Sequence, residues 1–289
     1  MNLSNVQLQT IHLPFETTVH LKLLRLDLID PEISGNKWFK LKKNLEEAQA
    51  TNKNHIITFG GAYSNHIAAT AKLCQLKGIK CTGIIRGEYN LNHTLSLASA
   101  QGMELKFVSR SLYRNKDAMQ QWLSKQYDLQ NCLVIPEGGA NSAGIEGCKE
   151  IVSLIDCTFD YIAVACGTGT TLAGIVQCLA KHQKAIGFSA LKGGSFIVKE
   201  IEKNMPANFE TNFTISDNYH FGGYAKYTNE LINFIKQFET ENAIKLDFVY
   251  TAKMMYGLMD LIQKNYFPEK STIVAIHSGG LQGNLGIGI

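Results

Sequence analysis

A chain of 289 residues with a formal net charge of +3, 45% apolar and 18% charged, has the composition of a soluble globular protein of one large or two small domains. The charge excess is too small to argue for nucleic acid or an anionic membrane as partner, and no apolar run is long enough to span a bilayer. Seven cysteines (Cys74, Cys81, Cys132, Cys148, Cys157, Cys166 and Cys178) form no CxxC pair; with no signal-peptide core in residues 1–18, they read as reduced thiols of a cytoplasmic protein, mostly packed in its core.

In chain order, the alternating run 19–29 predicts a strand. A Ser34-Gly35-Asn36 turn then delivers Lys37 to the first turn of a helix whose apolar pattern covers 41–50. Further strands are expected over 55–59, 81–86, 104–109, 132–135, 161–165, 185–191 and 272–276. Helices are expected over 65–77, 94–101, 116–127, 142–155, 170–181, 196–203, 229–239 and 252–264. This βαβα order predicts an α/β fold of open parallel twisted sheets with helices on both faces. There is no internal repeat and no low-complexity linker.

Lys37 stands where a helix dipole disfavours a cation. It is either swung into water or held for a purpose such as imine formation with a carbonyl cofactor, which needs a deprotonated amine. Taken alone, Lys40, Lys42 and Lys43 followed by Glu46 and Glu47 look like a solvated helix face. Ligands of open parallel sheets bind beyond the carboxyl ends of the strands. Glycine-rich segments sit at four such ends, around Gly60-Gly61, Gly138-Gly139, Gly167-Thr168-Gly169 and Gly279-Gly280. Any one could be a plain turn; four on one edge point to a single ligand site.

The segment Gly167-Thr168-Gly169-Thr170-Thr171 follows an apolar strand and opens a helix. Its backbone N–H groups and hydroxyls would bind a phosphate without a basic residue. The spacing is not GxGxxG, the next strand ends without a ribose-binding acid, and no Gly-Lys-Ser/Thr is present, so a phosphate monoester fits better than a dinucleotide or a nucleoside triphosphate. Tyr63-Ser64-Asn65-His66 precedes a helix, either as a plain N-cap or as a carboxylate site. His66 and His277 read more readily as structural hydrogen-bonders than as bases. No HExxH or His/Cys spacing supports a metal site. A lysine amine, a phosphate cradle and a carboxylate-binding helix start together describe pyridoxal phosphate with a small amino-acid substrate.

Ser34-Gly35-Asn36-Lys37, the stretch 60–66, Gly167-Thr168-Gly169-Thr170, Gly222-Gly223-Tyr224, Val249-Tyr250-Thr251 and His277-Ser278-Gly279-Gly280 occur in an order that resembles the 1-aminocyclopropane-1-carboxylate deaminase and D-cysteine desulfhydrase family. These are tryptophan synthase β-like, fold type II pyridoxal phosphate enzymes. The resemblance implies a larger cofactor domain from 1–44 and 138–289, a smaller inserted domain over 45–137, and a homodimer. By position it implies Lys37 as Schiff-base lysine and Cα proton carrier, and Asn65 on the cofactor hydroxyl. Ser64 and His66 would face the substrate carboxylate, and Gly167, Thr168, Gly169, Thr170 and Thr171 the phosphate. Thr251 and Ser278 would lie near the cofactor ring, and Tyr224 and Tyr250 would be the active-site tyrosines.

Departures from the deaminase pattern bear on the substrate. Thr251 stands where such deaminases carry a Glu, Ser278 where they have an apolar residue, and Ser-Asn-His replaces Ser-Asn-Gln. A carboxylate keeps the pyridine nitrogen protonated for difficult ring opening; a hydroxyl suffices for β-elimination of a good leaving group. The expectation is therefore D-cysteine desulfhydrase-like β-elimination to a keto acid, ammonia and sulfide, with the deaminase reaction as alternative. A non-catalytic protein retaining the fold is a further rival.

Overall fold

The computed structural model describes residues 1–33, 35–206, 209–210 and 212–288. Strands β1 (Leu8–Thr10) and β2 (His20–Arg25) lead into α1 (Asn36–Ala50), β3 (His55–Gly60), α2 (Asn65–Lys77), β4 (Lys80–Arg86), α3 (His93–Ala100), β5 (Glu104–Val108), α4 (Arg110–Arg114), α5 (Lys116–Gln126) and β6 (Cys132–Ile135). The remainder is α6 (Ser142–Lys149), β7 (Tyr161–Cys166), α7 (Thr170–Val176), β8 (Lys184–Ser189), α8 (Phe196–Glu202), β9 (Phe213–Ser216), α9 (Asn229–Asn242), α10 (Thr251–Gln263) and β10 (Thr272–His277). Two sheets result, of order β1-β2-β10-β7-β8-β9 and β5-β4-β3-β6. All pairings are parallel except β1 against β2, where Leu8 faces Leu24.

Alternation along each buried strand feeds two cores per sheet. In β7, Ala163 and Ala165 pack beneath α9 and α10 with Phe188, Met254 and Leu258, while Ile162 and Val164 join Phe39, Leu172 and Ile175 on the other face. The smaller sheet sets Ile56, Ile67 and Ile85 on one face and Ile57, Ile84 and Leu123 on the other. Five of the seven cysteines are buried, Cys157 is half-buried and Cys178 exposed.

The strand predictions at β3–β8 and β10 match to within two residues, whereas the short strands β1 and β9 and the five-residue helix α4 were not predicted. The helices expected over 142–155 and 170–181 stop early: beyond Lys149 and Val176 the backbone bonds tighten to i→i−3, as at Ile151→Cys148 and Cys178→Ile175. The expected boundary at 44/45 falls inside α1, which runs unbroken and gives Phe39 to a core of the larger sheet and Leu41, Leu45 and Ala48 to a core of the smaller.

Close backbone approach sets this layer. A methyl on Gly147 of α6 would meet the Phe39 carbonyl oxygen of α1 at 1.9 Å. At the start of α1, Gly35 has φ +64° and would, with a side chain, strike the Ser278 carbonyl at 1.9 Å. Only glycine fits either place, so the amino end of α1 is pressed against the turn that follows β10.

Candidate active site

The carboxyl ends of the strands of both sheets open onto one cavity of about 500 Å³. Of the residues singled out from the sequence, Lys37, Ser64, Asn65, His66, Gly167, Thr168, Gly169, Thr171, Tyr224, Tyr250 and Ser278 all line it.

Lys37 occupies the first turn of α1. Its Nζ donates to Asn36 Oδ1 at 2.7 Å, and Asn36 Nδ2 donates to Thr171 Oγ1 at 2.7 Å. One amide therefore ties the amine to the start of α7. Desolvation, and next the charge of Lys40, bring the Lys37 pKa down to about 7.

Lys40 was expected on a solvated face. Instead it is 5% exposed and lines the cavity, and burial lowers its pKa. The outer face of α1 belongs to Lys42, which pairs with Glu150 at 2.7 Å, and Lys43, which pairs with Glu46 at 2.8 Å. The three-residue interval from Lys37 carried the signal, since it puts both lysines on one helix face. The loop at 167–171 thus has a basic neighbour that the sequence reading did without. Thr170 does not line the cavity: its hydroxyl pairs with Thr168 Oγ1 at 2.8 Å, which leaves its role to the main chain.

Ser64 is the N-cap of α2, its Oγ accepting from Ile67 N at 3.3 Å. Asn65 Oδ1 accepts from Gln282 Nε2 at 2.8 Å, a partner the motif search missed. His66 is 2% exposed; burial, then Lys37 and Lys40, bring its pKa down to about 3. Its ring is neutral, and its Nδ1 is buried without a hydrogen-bond partner among the described residues. A neutral imidazole with a bare Nδ1 has no proton on that atom to give to a carboxylate. His277, read as structural, is fully buried with Nε2 2.8 Å from the Lys245 carbonyl.

Tyr224 and Tyr250 meet edge to face with centroids 6.2 Å apart. Burial pushes both phenols above their usual range. Each is held by a buried charge that the sequence reading did not single out. Asp247 accepts Val249 N, Tyr250 N, Thr251 N and Thr251 Oγ1 at 2.7–3.0 Å, capping α10 and fixing Tyr250. Lys253, 1% exposed, donates to the carbonyls of His220 and Gly223 at 2.8 and 2.7 Å and so anchors the loop carrying Tyr224.

Thr251 is where the geometry departs from expectation. It is 1% exposed and absent from the cavity wall. Its hydroxyl donates to Asp247 Oδ1 at 2.7 Å and accepts from Asp247 N at 2.9 Å, so the side chain is engaged in the helix cap. Ser278 does line the cavity.

Residues 15–279 match the family described as "Pyridoxal-phosphate dependent enzyme". A Pyrococcus furiosus protein named "Putative 1-aminocyclopropane-1-carboxylate deaminase" is 32% identical over 91% of this chain and 85% of its own length. The Arabidopsis thaliana protein named "Bifunctional D-cysteine desulfhydrase/1-aminocyclopropane-1-carboxylate deaminase, mitochondrial" is 31% identical over 94% of this chain and 74% of its own. Among solved structures, one described as an "ACC deaminase homologue" superposes with a TM-score of 0.82 at 28% identity, covering 98% of this chain and 92% of that one.

Proposed function

Since the chain belongs to the pyridoxal-phosphate dependent enzyme family, we propose that it is a lyase that removes the β-substituent of a small amino acid, D-cysteine before others, to give a keto acid, ammonia and, from cysteine, sulfide. The observation that carries this reading is the Lys37 amine, held 2.7 Å from Asn36 Oδ1 and brought to a pKa of about 7 inside the cavity. The residues present fit the cofactor: an amine ready for an aldehyde, a second buried cation at Lys40, and a threonine-glycine turn at a helix start. The same reading takes residues 45–137 as a smaller unit inserted between 1–44 and 138–289.

Pyridoxal phosphate, when bound, supplies an aldehyde for the substrate amine and a conjugated ring that accepts electrons from Cα. Lys40 and the N–H groups of 167–171 would hold its phosphate. Lys37, largely neutral just above pH 7, takes the Cα proton, with Asn36 aiming its Nζ. The substrate carboxylate sits on the N–H groups at Ser64 and Asn65. Tyr224 and Tyr250, kept protonated by burial, deliver a proton to the departing sulfur and exclude water from the reacting face.

The choice of β-elimination rests on Thr251 and Asp247. One hydroxyl and one carboxylate are wholly committed to the α10 cap, which leaves Ser278 as the polar side chain at the β10 end of the cavity. The deaminase reaction on 1-aminocyclopropane-1-carboxylate is the second reading, favoured by the name of the relative from Pyrococcus furiosus. Borohydride reduction followed by peptide mapping should place the cofactor on Lys37. Sulfide release from D-cysteine, set against keto-acid release from the cyclopropane substrate, decides between the reactions. Inactivity on D-cysteine and on β-chloroalanine would remove the elimination reading.

A further inference from the structure

Arg86 lines the outer end of the cavity and takes no part in the chemistry above. Strand register puts it there: Gly60 of β3 pairs with Ile85 of β4, so the residues that follow, Gly61 and Arg86, stand side by side at the carboxyl end of the sheet. A methyl built on Gly61 would lie 3.7 Å from Arg86 Nη2. This is the turn that leads to Ser64. The guanidinium rests 5.6 Å from the centroid of the Tyr113 ring, and Tyr113 packs edge-on against Phe59 at 6.1 Å. Among the described residues Arg86 has no ion pair and no side-chain hydrogen bond.

Arg86 is exposed, and an arginine laid on an aromatic face with its donor fork bonded to no other side chain is suited to a planar anion. The cavity's other cations are already assigned, Lys37 to the amine chemistry and Lys40 to the phosphate, and the α-carboxylate has the start of α2. Glu137 lines the same outer end without pairing to Arg86. Burial and the Glu137 carboxylate together push the Tyr113 phenol above its usual range, and Arg86 lies over that same ring.

We propose that Arg86 determines specificity by binding a carboxylate at the far end of the β-substituent, so that preferred substrates are β-substituted alanines with an acidic terminus. This rests on the elimination reading. The Cα proton passes to Lys37, the Cβ–S bond breaks with its electron pair on sulfur, and sulfur takes a proton from the tyrosine pair. The acidic thiol leaves, and one water converts the remaining three carbons to keto acid and ammonia. No oxidant or reductant enters.

The test uses the holoenzyme with S-(2-carboxyethyl)cysteine and its near-isosteric amide, S-(2-carbamoylethyl)cysteine, each in D and L form. Keto-acid release gives kcat/KM, and calorimetry on the cofactor-loaded Lys37→Ala variant, which lacks the proton acceptor, gives Kd without turnover. The carboxylate should be preferred by about tenfold or more, the scale of one charge-assisted contact. Arg86→Gln should bring that ratio near one, Arg86→Lys should keep part of it, and Glu137→Gln should widen it by removing a like charge. A wild-type ratio near one overturns the proposal. So does a ratio that survives Arg86→Gln, the result expected if Arg86 binds the α-carboxylate of every substrate. Failure of the elimination reading shows separately, as no keto acid from β-chloroalanine, and the Kd ratio still decides Arg86.

Discussion

His66 Nε2 lies 2.8 Å from Thr58 Oγ1, and the direction of that bond is fixed because the Thr58 hydroxyl gives its one proton to the Ile135 carbonyl at 2.9 Å. The imidazole therefore donates through Nε2 and keeps a lone pair on Nδ1. With a folded pKa of about 3 against 6.5 for an ordinary imidazole, the native state holds fewer protons at His66 than the unfolded chain between those values. Stability contributed by the neutral ring is complete above pH 6.5 and drains away as pH falls toward 3. His66→Gln should flatten the fall of Tm between pH 6.5 and 4. An unchanged acid slope would show that His66 titrates normally.

Lys40 sits buried in the same cavity as the amine of Lys37 and lowers its pKa. Lys40→Met should weaken cofactor binding by about 10- to 100-fold, corresponding to roughly 1.5–3 kcal/mol for a hydrogen bond to a charged group. In the cofactor-free protein it should also move the Lys37 titration upward, because a like charge has gone. Both are read by cofactor titration and by the pH dependence of amine labelling at Lys37.

Removing the Lys253 side chain leaves the carbonyls of His220 and Gly223 without their donor. Lys253→Met should cost about 2–4 kcal/mol in urea unfolding. Because the anchored loop carries Tyr224, kcat should fall more than KM rises. A stability loss with kcat intact would make Lys253 purely structural.

Thr251→Glu is the substitution a motif comparison would choose to install deaminase chemistry. The Thr251 hydroxyl is bonded to the Asp247 carboxylate at 2.7 Å in a buried cap, so the new carboxylate would face a like charge. The expected result is a destabilised protein, by about 3 kcal/mol or more, with no gain on the cyclopropane substrate. Gain of that activity in a stable variant would show that position 251 reaches the cofactor.

What the sequence made legible follows physical lines. Period-2 and period-3.6 patterns located the long elements, and glycine clusters at strand ends marked the cavity, because both are local signals. Lys40, Asp247, Lys253 and Arg86 stayed hidden for the opposite reason. Each is a charge whose meaning depends on what the fold sets beside it: Lys40 turned inward while Lys42 and Lys43 pair outward, Asp247 saturated by four donors, Lys253 capping carbonyls 33 and 30 residues away, Arg86 brought to Gly61 by strand register. Thr251 shows the converse, a position well placed in a motif whose side chain is consumed by its own helix.

Helix α1 is a spar shared by two bodies of apolar packing, with Phe39 embedded on one side and Leu41 on the other. A flap that closed on a free pivot would leave the reactive nitrogen behind. Here any rocking of the smaller sheet must drag the root of Lys37 along, so a void cut beneath Leu41 or Leu45, far from any ligand, should be felt as misalignment at the amine.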